Sequence, residues 1–200
     1  MARMWRWIVI ATLGAILCTI GDHLHATHGV LSYPLVFAWN QAWWVPLLFF
    51  CSTLASLAGA RFMRTMFRAP PLAPNDARMI AGDGLAFAAA YSLTSFTHAA
   101  PNETMLLLFA FWGARMLITP TPAWVVALSL ASAIAGPLAE ATISSCGLFS
   151  YTHPDFAGVT RWLAGIYLFV APISARLEAL LSAQNHETNR ETHREANQET

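Results

Sequence analysis

Chemistry-bearing residues are few in this chain, and they fall near the ends of long apolar runs. Asp22-His23-x-His25-x-x-His28 sets one carboxylate and three imidazoles within seven positions, residue types that suit Zn²⁺ or a similar ion. The histidines miss the i, i+4 spacing that puts two ligands on one helix face, so polar side chains where a helix meets water are the plainer reading. Glu140 and Asp83 are carboxylates inside otherwise apolar stretches, which makes each a functional candidate. Glu140 stands beside Pro137 and suits a ligand-facing or a structural acid equally; Asp83, between Gly82 and Gly84, reads as structural. Arg115, Arg176 and Glu178 are expected to snorkel to the membrane edge.

Catalytic patterns are thin. The chain has no GxSxG, HExxH, P-loop or Ser-x-x-Lys, so nucleophilic and phosphoryl-transfer enzymes have no support and no catalytic residue, metal or cofactor is assigned. Cys18, Cys51 and Cys146 each lie in an apolar run without metal-ligand spacing and read as small buried apolar groups.

The elements that must position these groups follow from composition. Of 200 residues 56% are apolar and 11% charged, against about 25% charged in soluble domains. Net charge is zero and no basic face interleaves with aromatics, so nucleic acid is excluded as a partner. Residues 23–60 carry no charge at all. The pattern predicts an all-α membrane protein, a six-transmembrane-helix bundle over 1–183 with spans at about 5–24, 42–60, 79–97, 103–119, 122–143 and 161–181. Turn chemistry separates them at His28-Gly29, Pro70-Pro71, Pro101-Asn102, Pro120-Thr121-Pro122 and His153-Pro154. The polar stretch 184–200 is expected to be a disordered cytoplasmic tail.

Alternate sides of six helices collect ten arginines and one, Arg161, which predicts cytoplasmic termini. The first apolar run ends in Asp22-His23-Leu24-His25 rather than a small-residue cleavage site, so it reads as a retained helix. All eleven basic residues are arginine, a bias that points to a GC-rich bacterial source and hence a bacterial inner membrane, or the endoplasmic reticulum for a eukaryotic chain. Pro46, Pro137 and Pro172 are expected to kink their spans. Ser132 and Gly136 give the fifth span small-xxx-small spacing and predict a central helix, suited to intrachain packing or a homo-oligomer. Trp5, Trp7, Trp43, Trp44 and Trp162 fall at span ends as an aromatic belt. No internal repeat of domain size is legible.

Two stretches are more specific. Ala42-Trp43-Trp44-Val45-Pro46, and Tyr151-Thr152-His153-Pro154-Asp155-Phe156 followed by Trp162-Leu163, resemble the Insig (insulin-induced gene) family. Thr97-His98-Ala99 and Phe111-Trp112 agree in order, and the resemblance covers roughly residues 42–175. It implies six helices with cytoplasmic termini, no enzymatic activity and a bundle enclosing an amphiphilic lipid. In eukaryotic members that lipid is an oxysterol, and the bound form holds a sterol-sensing escort and a sterol-synthesis reductase. The acid that those members carry after the aromatic pair of the fourth helix is absent here, where Arg115 stands instead, so these partners are not carried over.

The resemblance thus implies a lipid sensor, and an apolar cavity with few polar groups suits a membrane lipid with a small hydroxyl head, such as a diacylglycerol, better than a sterol. Trp43, Trp44, Phe50, Phe109 and Trp112 are expected to line its cavity, and His98, Glu140 or Tyr151 to hydrogen-bond its polar head. In the Tyr151–Phe156 loop, Pro154 is expected to set a turn, Asp155 to bond backbone and Phe156 to staple the loop to the bundle. The competing reading is a metal-dependent membrane enzyme acting on lipid through Asp22, His23, His25, His28 and His153.

Overall fold

A computed structural model describes residues 2–73 and 77–183; the stretch 184–200, read above as a tail, lies outside the described residues. The chain runs α1 (Ala2–Thr27), β1 (Leu31–Ser32), α2 (Val45–Met66), α3 (Ala77–Thr97), α4 (Pro101–Ile118), α5 (Ala123–Ser145), β2 (Ser150–Tyr151) and α6 (Leu163–Leu168). Helix α6 breaks at Phe169 and resumes through residue 183, because Pro172 has no N–H to offer the carbonyl four residues back. Four helices, α1, α2, α5 and the whole of α6, are long and apolar enough to cross a membrane. Pro137 lies inside α5, whereas Pro46 sits in the first turn of α2, where its missing N–H costs nothing.

The centre of the bundle is α6, not the small-residue helix α5. Of its most apolar stretch 61% is buried, against 17% for α5. Ala171, Ala175 and Ala179, one helical face of α6, are all fully buried. Their small side chains add to the close approach that Gly136 of α5 makes against Tyr167 of α6. Trp162 corrects the aromatic-belt expectation in the same way: it is fully buried in the core.

A repeat hidden in the sequence organises the rest. β1 and β2 pair antiparallel with Ser32 opposite Ser150, and their hydroxyls meet at 3.1 Å. These residues are 118 positions apart, and the same offset relates much of the α1–α2 hairpin to the α5–α6 hairpin. It takes Gly29 to Gly147, Trp39-Asn40 to Ala157-Gly158, Trp44 to Trp162 and the first residue of α2 to that of α6. Trp39, Asn40, Ala157 and Gly158 all have positive φ, and each pair closes a two-residue turn between bridged neighbours, Ala38 with Gln41 and Phe156 with Val159. A pseudo-two-fold axis therefore passes between Ser32 and Ser150. The α3–α4 hairpin is inserted between the halves and packs on α1 and α6, while α2 packs on α5.

Gly29 and Gly147 end α1 and α5 in the left-handed region, at φ +71° and +72°, with open space around each. The Val30 N–H closes the first end by bonding the His25 carbonyl at 2.9 Å, the longer bond of a Schellman cap. With no steric neighbour, the cost of a side chain is conformational alone. Gly29→Ala and Gly147→Ala are expected to lower stability equally, by about 1–2 kcal/mol each, in detergent unfolding curves.

Candidate functional site

Beneath the ribbon the pseudo-two-fold repeats a chemical motif. Asp22 on α1 accepts a hydrogen bond from the Tyr33 hydroxyl at 2.7 Å, and Glu140 on α5 accepts one from the Tyr151 hydroxyl at 2.5 Å. Gln41 Nε2 also donates to Asp22, at 2.6 Å, and the Tyr167 hydroxyl to Glu140, at 2.8 Å. Burial, reinforced by the neighbouring carboxylates, pushes both ribbon tyrosines well above the ordinary phenol range, so each stays protonated and donates. Neither acid pairs with an arginine among the described residues. Tyr167 reaches Glu140 because its ring lies against Gly136, where a Cβ would come within 2.3 Å of it.

Aromatic rings join the two acids' surroundings. Trp44, Tyr33, Phe149, Tyr151, Trp162, His25 and Tyr91 form a continuous series with centroid separations from 4.4 to 6.2 Å. The result is an apolar interior with two carboxyls held by neutral donors. A carboxylate has about four lone-pair directions, so Glu140 keeps acceptor capacity for a ligand hydroxyl. The indole N–H of Trp112, on α4, and that of Trp162 are buried without a partner among the described residues.

Of the eight residues expected to bind a ligand, three meet in this region: Glu140, Tyr151 and Trp44. Phe50 and Trp112 are half-buried on α2 and α4. Trp43 and Phe109 are exposed, at 66% and 42%. His98 stacks on His153 at 5.8 Å. The site partners that sequence reasoning missed are Asp22, Tyr33, Gln41 and Tyr167. A signal was present, since each acid precedes its tyrosine by 11 positions and each tyrosine follows a serine.

The histidine-rich segment does not assemble a metal site. His25 Nε2 bonds the Thr94 hydroxyl at 2.8 Å, His23 Nδ1 the Trp39 carbonyl at 2.8 Å and His28 Nδ1 the Leu24 carbonyl at 2.8 Å. Among the described residues no three such ligands converge. In the β2–α6 loop Asp155 accepts the Arg161 N–H and Nε, both at 2.7 Å, whereas Phe156 is 60% exposed and staples nothing. Cys51 and Cys146 are exposed, not buried.

The charged residues expected to snorkel, Arg115, Arg176 and Glu178, are instead paired. Arg115 and Arg176 both bond Asp83, which is 2% exposed, and Arg64 grips Glu178 with two hydrogen bonds at 2.9 and 3.0 Å.

No family model matches the chain. A crystal structure of MvINS, a mycobacterial Insig homologue from Mycobacterium vanbaalenii, has the same fold: TM-score 0.74 at 27% identity, covering 89% of this chain and 94% of that one. A protein described as an INSIG protein homolog, from Mycolicibacterium vanbaalenii, is 31% identical over 191 residues, 91% of this chain and 89% of the relative. The chain belongs to the Insig family. The helical, multi-pass architecture is thus an Insig architecture, and its ribbon motif draws on both stretches that carried the resemblance, through Trp44 and Tyr151. A cross-linked trimer of an MvINS cysteine variant matches equally well, with TM-score 0.74 and 26% identity.

Proposed function

We propose that this Insig-family protein is a non-enzymatic binding protein that senses an amphiphilic lipid, a sterol or a diacylglycerol-like molecule, held within the helix bundle. Glu140, Tyr151 and Tyr167 take the lipid's polar head, Trp44, Phe50 and Trp112 flank its apolar body, and no cofactor takes part. The observation that carries this reading is a buried carboxyl met only by neutral hydroxyl donors inside an aromatic interior. Such a group has lone pairs left to accept a further hydrogen bond from a ligand hydroxyl.

All six helices cross the membrane in this reading, with both termini in the cytoplasm of a bacterial inner membrane. Helices α3 and α4, of 21 and 18 residues, reach about 27–32 Å at 1.5 Å per residue. Their charged residues Asp83 and Arg115 neutralise each other, which lowers the cost that a hydropathy average counts in full. The trimeric MvINS structure supports a homo-oligomer. The eukaryotic escort and reductase have no support here, and a metal-dependent enzyme has none from the dispersed histidines.

Mass spectrometry of lipids extracted from protein purified in mild detergent tests the proposal. One lipid class at about one molecule per chain, reduced in Trp112→Ala, is expected. A mixed profile indistinguishable from a mock purification overturns it.

A further inference from the structure

The loops that follow β1 and β2 share a backbone and differ in chemistry. Residues 35–43 and 153–161 are equivalent under the offset of 118 positions. Each folds back on itself through its two-residue turn of positive φ, and the Phe37 N–H bonds the Gln41 carbonyl at 2.8 Å as the Asp155 N–H bonds that of Val159 at 3.0 Å. The side chains are opposite in kind. His153, Asp155 and Arg161 stand where the first hairpin has Leu35, Phe37 and Trp43, and Arg161 links Asp155 to Asn102 at the start of α4. The first hairpin carries no charge, and its Leu35, Val36, Phe37, Trp39 and Trp43 are between 59% and 78% exposed. One backbone shape accepts both sets, so the apolar set answers to what lies outside it.

Hydrogen bonds fix where that hairpin lies. Gln41 Nε2 donates to the Thr19 carbonyl at 2.9 Å and to Asp22 at 2.6 Å, and His23 Nδ1 donates to the Trp39 carbonyl at 2.8 Å. Helix α1 runs on to Thr27, so the turn lies back beside the helix rather than beyond it: His23 and Thr19 stand about 6 and 12 Å short of its end at 1.5 Å per residue. Ile16, Ile20 and His23 share one face of α1, and Ile16 and Ile20 are exposed, as is Leu47 in the first turn of α2. The hairpin therefore continues the outer faces of two helices long and apolar enough to cross a membrane. The His23 bond fits the same surroundings. A carbonyl against lipid has no water to bond, and the imidazole supplies its donor from within the chain.

We propose that the 35–43 hairpin is an interfacial anchor seated in one leaflet of the bilayer. Leu35, Val36 and Phe37 lie against the upper acyl chains of glycerophospholipids, and the Trp39 and Trp43 indoles sit at the boundary between chains and head groups. Its polar twin, held to α4 through Arg161 and Asn102, has no such seat. The fold thus grips the membrane unequally on its two pseudo-symmetric sides.

The full wild-type chain is reconstituted in phosphatidylcholine vesicles doped with a phosphatidylcholine that bears a photoreactive diazirine on its acyl chain, irradiated, and mapped by peptide mass spectrometry. Ile16 and Ile20, on the outer face of α1, serve as the internal positive control. Residues 35–43 are expected to take several-fold more label than 153–161, and more from a diazirine near the carboxyl end of the acyl chain than from one near its methyl end. Equal labelling of the two hairpins, or labelling of α1 without 35–43, overturns the proposal. A chemical cross-link joining 35–43 to another copy of the chain, in place of lipid label, assigns this surface to a second copy and overturns it as well.

Discussion

Asp83→Ala is expected to destabilise the protein by about 3–5 kcal/mol, because it strands two partly buried guanidiniums without a counter-charge. The carboxylate is 2% exposed and ties α3 to α4 and α6 at once. Loss of a monodisperse peak after detergent extraction, or a matching shift in an unfolding curve, checks the result. Replacing all three partners with apolar side chains, Asp83→Leu with Arg115→Met and Arg176→Met, is expected to fall within about 2 kcal/mol of wild type, since nothing charged is then left unpaired. An Asp83→Ala protein of wild-type stability would show that water solvates these groups and that the cluster holds nothing together.

The second large effect separates two tryptophans at equivalent positions of the repeat. Trp162 is fully buried, edge-on to His25 and Tyr151, while Trp44 is half-buried beside Tyr33. Trp162→Ala is expected to cost about 3–5 kcal/mol through the cavity it leaves. Trp44→Ala removes less buried area and is expected to cost about 1–2 kcal/mol. Unfolding of both variants side by side measures the difference. Equal losses would mean that the pseudo-symmetry extends to packing, and that the α3–α4 insertion, which buries the α1–α6 side, contributes little.

Composition alone carried the membrane class, since long uncharged runs have no stable alternative in water. The turn residues located the breaks, because proline and glycine act locally. The central position of α6 was not legible: α2, α5 and α6 share a mean hydropathy of 1.5, so averages cannot rank them. Nor was the Asp83 cluster, whose partners lie 32 and 93 positions away. Snorkelling was a sound reading of each arginine alone, and it failed because a buried acid on a neighbouring helix offered more than water did. The repeat escaped for a related reason. Its halves share a few residues, such as Ser32 with Ser150 and Trp44 with Trp162, and are otherwise kept alike by backbone shape, with Asp22 replaced by Glu140 and Asn40 by Gly158. Glu140 and Tyr151 were legible only as separate polar candidates; their direct contact, and the contact with Tyr167, required the fold.

In the proposed function Glu140 and its two tyrosines form the polar end of a lipid site. Counting lipid molecules per chain in wild type and Glu140→Leu, purified identically and both shown to be folded, tests it most directly. About one retained lipid is expected in wild type, with a fall to the mock level in the variant. Undiminished occupancy in Glu140→Leu would contradict it and leave Glu140 as a helix-tying acid within the core.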